Sequence, residues 1–156
     1  MKSLVLSVLF VSVFGLNECC RCAVRPDFDL GCASDFIIKT KVTSQLRNHS
    51  VPNNSDSFYY TIKQPSYGNT YKFNFRSDVS AANKARVYTS ESTASCGVFL
   101  ERGKTYILSG SVNKEKQRME INSCSSWVRE SSQISPESRQ LLMQFKQGIV
   151  VCPEQN

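Results

Sequence analysis

From Cys32 onward the chain is built of short stretches in which apolar and polar residues alternate. "DFIIKTKV" (Asp35 to Val42) is a β-branched run with charges spaced by two, the pattern of a half-buried strand. "FYYTIKQ" (Phe58 to Gln64) predicts a second strand, "YKFNFR" (Tyr71 to Arg76) a short third and "KARVYTS" (Lys84 to Ser90) a fourth. "KTYILSGSV" (Lys104 to Val112) and "QRMEINSC" (Gln117 to Cys124) flank the polar turn "NKEK" and predict an antiparallel hairpin. Between the first two strands, "SQLRNHSVPNNSDS" (Ser44 to Ser57) is polar and turn-rich, an exposed loop within a long hairpin.

The period changes only near the end. "SPESRQLLMQFKQG" offers Ser135 as N-cap, Pro136 at the first helical position and Gly148 as terminator, with Leu141, Leu142 and Phe145 on one face. About five strands followed by a helix predict a mainly β fold: a small closed five-stranded antiparallel barrel of OB-like form, with the C-terminal helix packed on it. No internal repeat and no interdomain linker interrupts the pattern.

Ahead of this region the chain is different in kind. "MKSLVLSVLFVSVFG" has one charge, Lys2, then an uncharged apolar stretch from Leu4 to Leu16, 13 residues long. A membrane span needs roughly 20, so the layout is that of a secretory signal peptide and the expectation is an extracellular protein with no membrane partner. The small-residue rule favours a cut after Gly15; a cut between Cys19 and Cys20 is permissible and weaker. In an exported chain, Asn48 in "NHS" and Asn53 in "NNS" are acceptor motifs for N-linked glycans.

Composition narrows the function classes. The chain has 156 residues and a formal net charge of +6. Removing the first 19 residues takes away Lys2 and Glu18, which cancel, so the mature charge is the same. A basic secreted domain is suited to acidic matrix polyanions, but "KEKQR" (Lys114 to Arg118) and "ERGK" (Glu101 to Lys104) have the form of ordinary turns with solvated charges. The only histidine, His49, sits in the glycan-bearing loop, where a base lacks a positioned partner. Asp27 and Asp29 show no spacing that selects a mechanism and are expected to be solvated. No glycine-rich phosphate loop or zinc-protease motif occurs, and "YKFNFR" is only a faint echo of nucleic-acid readers. An enzyme or a nucleic-acid binder is not expected.

The cysteines carry the strongest signal. "LNECCRCAV" places three within four residues, and there are seven in all. With Cys19 set aside, Cys20, Cys22, Cys32, Cys96, Cys124 and Cys152 remain, three bunched early and three spread late, with 15 conceivable pairings. The bunching favours long-range links that tie the N-terminal segment to later elements as a rigid, exposed ridge. Each link is worth roughly 2–5 kcal/mol in a small secreted domain.

"CRCAVRPDFDLGC" (Cys20 to Cys32), "SDFIIKTKV", "ARVYTSESTASCGV" (Ala85 to Val98), "INSCSSWV" and "SPESRQLLMQFKQGIVVC" together resemble the N-terminal, netrin-like domain of the tissue inhibitors of metalloproteinases. The resemblance runs from Cys20 to Cys152, after a signal segment 1–19 and before a short tail 153–156. It implies the pairs Cys20–Cys96, Cys22–Cys124 and Cys32–Cys152, leaving Cys19 as the last residue of the signal or, alternatively, as a free thiol for an intermolecular bridge. It also implies a mechanism. The α-amine and carbonyl oxygen of Cys20 chelate the catalytic zinc of a matrix or disintegrin-type metalloproteinase, so the zinc belongs to the target and the inhibitor has no cofactor of its own. Arg21 points into the primary specificity pocket, Cys22, Ala23 and Val24 continue the ridge, and Ala94 and Ser95 flank it. Zinc accepts such N and O ligands, and because the amine must be deprotonated, acid weakens the contact.

Three features depart from the family pattern: Arg21 replaces a small Thr or Ser, Val24 and Asp27 stand where prolines are usual, and Cys19 precedes the chelating residue. The alternative function is a netrin-like binding module that contacts matrix or a receptor without blocking zinc.

Overall fold

Strand β1 (Phe36–Lys41) forms where the alternation predicts it, but it is buried on both faces. The computed structural model describes residues 20–51, 54–73 and 78–154, with the backbone alone for 48–51 and 54–57. In it β1 is paired on both edges, with β4 (Thr70–Phe73) and with β6 (Thr105–Asn113). Phe36 and Ile38 enter one apolar cluster with Tyr60, Val87, Leu108 and Met119. Ile37, on the opposite face, enters a second cluster with Ile107, Trp127, Leu142 and Phe145. A strand with helices over its outer face loses its polar side, so the half-buried expectation gives way to complete burial of Phe36, Ile37 and Ile38.

The remaining strands are β2 (Arg47–Val51), β3 (Asn54–Thr61), β5 (Arg86–Thr89), β7 (Arg118–Glu120) and β8 (Val128–Glu130). Their order is β2-β3-β5-β7-β6-β1-β4, with β8 also on β6. The expected closed, five-stranded, antiparallel barrel is therefore corrected. Among the described residues the sheet has eight strands, β5 and β7 run parallel, and the ladder order is an open path. A single bridge, Val42 to Ile62, ties the ends of β1 and β3 together through Lys63 N–H to Lys41 O and Thr43 N–H to Thr61 O, both 2.8 Å. The β6–β7 hairpin around "NKEK" is present, with Ser111, Val112 and Asn113 opposite Glu120, Met119 and Arg118.

The polar segment expected as a loop is strand instead: Arg47, Asn48 and His49 pair with Tyr59, Phe58 and Ser57. Ladder bonds use backbone groups alone, so polar residues such as Asn and Ser can form them. Asn48 and His49 lie on β2, whereas Asn53, the signal segment with Cys19, and residues 74–76 of the third predicted strand lie outside the described residues. Arg118 corrects the expectation of a solvated turn. It is buried, its guanidinium 4.4 Å from the Tyr88 ring centre and its Nε donating to Glu120 at 2.7 Å. In "ERGK", Lys104 is held by Glu101 at 2.9 Å and Glu130 at 3.1 Å, so its charge is met within the fold.

Helix α2 (Pro136–Gln147) starts and stops as predicted. The Ser135 hydroxyl accepts from Ser138 N–H at 3.1 Å, and Gly148 takes the left-handed conformation at φ 70°. A second helix, α1 (Asp27–Ala33), was not expected. Gly31 is its contact point with α2, because a Cβ there would lie 2.5 Å from the Phe145 ring. Lys72 caps α1 at its C-terminal end, donating to Gly31 O at 3.0 Å and Cys32 O at 2.9 Å. Burial holds the Lys72 ammonium below the usual lysine range, offset in part by Asp35. Asp27, expected to be solvated, accepts from Ser138 Oγ at 2.6 Å and so joins the start of α1 to α2.

Candidate functional site

Residues 20–26 lie ahead of α1 outside any helix or strand, and every one from Arg21 to Pro26 is exposed, Val24 fully so. An exposed strip without ladder partners has nothing of its own to hold its shape. Here the covalent links do so. Cys20 is bridged to Cys96 and Cys22 to Cys124, with Cα separations of 5.1 and 4.8 Å, and Cys32 to Cys152 at 5.4 Å. All three separations fall in the ordinary disulfide range. The first two bridges lie side by side, with the Cys96 and Cys124 sulfurs 3.6 Å apart. The sulfurs of Cys20, Cys22 and Cys124 fall within 4.8 Å of one another. That closeness is stacking of two bridges and not a metal site, since disulfide sulfur has no thiolate to offer a metal.

The platforms beneath are themselves stiffened. A 3₁₀ turn over Thr93–Ser95 carries Ala94 and Ser95 at the surface. The Ser92 hydroxyl accepts from Ser95 N–H, Ser92 O accepts from Gly97 N–H at 2.8 Å, and Cys96 closes the turn in the left-handed conformation. Below Cys22, the Asn122 side chain accepts from the N–H groups of Cys124 at 2.9 Å and Ser125 at 2.8 Å. The two platforms meet where Ser123 N–H donates to Cys96 O at 2.9 Å. Arg21 is thus flanked by two cysteines bridged to the same base, and Ala94 and Ser95 are exposed in the two positions just before Cys96. Ala23 and Val24 continue the strip beyond the second bridge, towards α1.

The "NSCS" sequence carries a recognisable side-chain turn signal at Asn122. Phe99 gives no such signal, because "GVFL" looks like a buried run, yet Phe99 is exposed between buried Val98 and Leu100. Gly97 is required by close approach: a Cβ would meet Ser90 O at 2.3 Å and Ser92 O at 2.8 Å, both backbone atoms. Gly97→Ala is expected to destabilise the fold by about 1–3 kcal/mol, as overpacked sites do. A urea titration with an unshifted midpoint would show that the turn can yield.

The family model for tissue inhibitor of metalloproteinase matches residues 18–153, and so spans the ridge, both platforms and all three bridges. The chain belongs to this family. Among curated proteins no match is found. Members of the family act on metalloproteinases as inhibitors, not as enzymes. Among the described residues, no helix is long and apolar enough to cross a membrane.

Proposed function

We propose that this chain is a secreted inhibitor of zinc metalloproteinases, released by cleavage between Cys19 and Cys20 and acting through the ridge that then begins at Cys20. The supporting observation is the pair of bridges that holds an exposed strip, beginning at Cys20, on a rigid two-platform base. In this reading the free amine and the carbonyl oxygen of Cys20 occupy the open position of the target's zinc and displace its water. Preorganisation supplies affinity, because little conformational freedom is left to lose on docking. Export accords with glycan addition at Asn48 and Asn53. The test is titration of a panel of matrix and disintegrin-type metalloproteinases with protein verified to start at Cys20. Nanomolar or tighter inhibition of at least one is the expected outcome, and inhibition of none would leave a binding module as the better reading.

Arg21 decides which enzymes are inhibited well. The residue after the zinc ligand is one Cα–Cα step, about 3.8 Å, further along the ridge, so its side chain enters whatever subsite adjoins the metal. Burying an unpaired guanidinium in an apolar subsite is costly. Arg21→Thr is therefore expected to tighten inhibition of proteases with apolar subsites by roughly 10- to 100-fold, or 1.4–2.8 kcal/mol, without moving the thermal midpoint. An unchanged inhibition constant across the panel would show that Arg21 stays in solvent.

A further inference from the structure

We propose that Phe99 is a second anchor of the protease-binding surface, held ready for it by the buried hydroxyl of Tyr60; this rests on the inhibitory reading above. Phe99 is 61 % exposed, while Val98 and Leu100 on either side are 6 % exposed. An exposed phenylalanine is common enough on its own. What sets this one apart is how its backbone is fixed. The Tyr60 hydroxyl donates to Val98 O at 3.3 Å and accepts from Leu100 N–H at 3.0 Å, so one buried group holds the chain on both sides of Phe99. The flanks are tied as well. Val98 N–H donates to the Thr89 hydroxyl at 2.9 Å, and Glu101 N–H to the Tyr106 hydroxyl at 3.1 Å. Burial pushes the Tyr60 hydroxyl above its ordinary range, countered in part by the Leu100 N–H, so it keeps its proton.

The position follows closely on the bridge that holds the ridge. Phe99 is three residues from Cys96, whose Cα is 5.1 Å from that of Cys20. Three residues span at most about 11 Å, which places the Phe99 Cα no more than about 16 Å from the Cys20 Cα. One side of a standard interface covers about 800 Å², a patch of roughly 16 Å radius. The distance thus allows a protease seated on Cys20 to cover this aromatic as well. Aromatic residues, phenylalanine included, are enriched in interfaces, and one on a fixed backbone loses little entropy on burial. The matching feature on the partner is an apolar depression on the rim of its cleft, beyond the zinc.

The experiment is association and dissociation kinetics for protein starting at Cys20, with Phe99→Ala, Tyr60→Phe and the double variant, against a metalloproteinase that the parent inhibits. Phe99→Ala is expected to weaken binding about 30-fold or more, chiefly through faster dissociation, with an unchanged thermal midpoint. Tyr60→Phe is expected to weaken it about three- to tenfold, and to add nothing when Phe99 is already alanine, because Tyr60 acts through Phe99. A parent that inhibits well and a Phe99→Ala variant with equal kinetics would overturn the second anchor and leave the inhibitory reading standing. A Tyr60→Phe loss that persists in the double variant would overturn the positioning role. A parent that inhibits no protease would overturn both readings together.

Discussion

Protein carrying one alanine ahead of Cys20 is expected to inhibit metalloproteinases on the order of a thousandfold less well than protein starting at Cys20, a loss of about 4 kcal/mol. An amine nitrogen offers a lone pair to zinc, whereas an added residue turns it into a peptide nitrogen whose lone pair is delocalised into the carbonyl. The added residue also projects from the ridge at the point where the metal must approach. Everything else is left in place, since both bridges and both platforms lie C-terminal to the change or beneath it. Equal folding, judged by the thermal midpoint, together with a lost inhibition constant would isolate the zinc ligand. Retained Cys19 would act as the alanine does, so N-terminal sequencing of the secreted protein belongs with the same assay. If the extended protein inhibits as tightly as the parent, zinc chelation is not the mechanism.

Residues that carry their own local signal were the legible ones. Ser135, Pro136 and Gly148 delimit α2 within a residue because each acts on its own turn. The β6–β7 hairpin is readable because a polar turn lies between two alternating runs. The ridge is legible through cysteine spacing, since bunched cysteines imply distant partners. Features that depend on distant partners were hidden. Helix α1 is seven residues long and contains a glycine, and propensity argues against it. It persists because Gly31 lets Phe145 approach, Lys72 caps it, and Asp27 meets Ser138. Strand β8 has only three residues, whose pairing is supplied by β6, a neighbour no local pattern names. The parallel β5–β7 pair comes from a long crossover rather than a hairpin, and adjacency in sequence therefore misled the barrel expectation. Phe99 was missed for a related reason. Its surroundings in sequence are apolar, and the hydroxyl that holds the backbone on both sides of it belongs to Tyr60, 39 positions earlier.

The three bridges do not share one role, and replacing Cys32 and Cys152 together with alanine separates them. That bridge closes the longest loop, 120 residues, and a loop of this length contributes about 5 kcal/mol in the chain-entropy account, with measured removals costing about 2–5 kcal/mol. Both cysteines also lie against the cluster of Leu30, Ile37, Trp127, Leu142 and Phe145, so their loss loosens the contact between α1 and α2. For a domain of this size the expected fall in thermal midpoint is roughly 10–20 °C. Inhibition by the molecules that remain folded is expected to change by less than about threefold, because sites with no shared partners act independently and the ridge is fixed by Cys96 and Cys124. Replacing Cys22 and Cys124 should show the opposite balance: a comparable stability loss accompanied by a large loss of inhibition, since Arg21 is then held from one side only. Measured below both midpoints, a Cys32/Cys152 variant that loses inhibition as completely as the Cys22/Cys124 variant would mean that the ridge takes its shape from the whole fold and not from the two bridges beneath it.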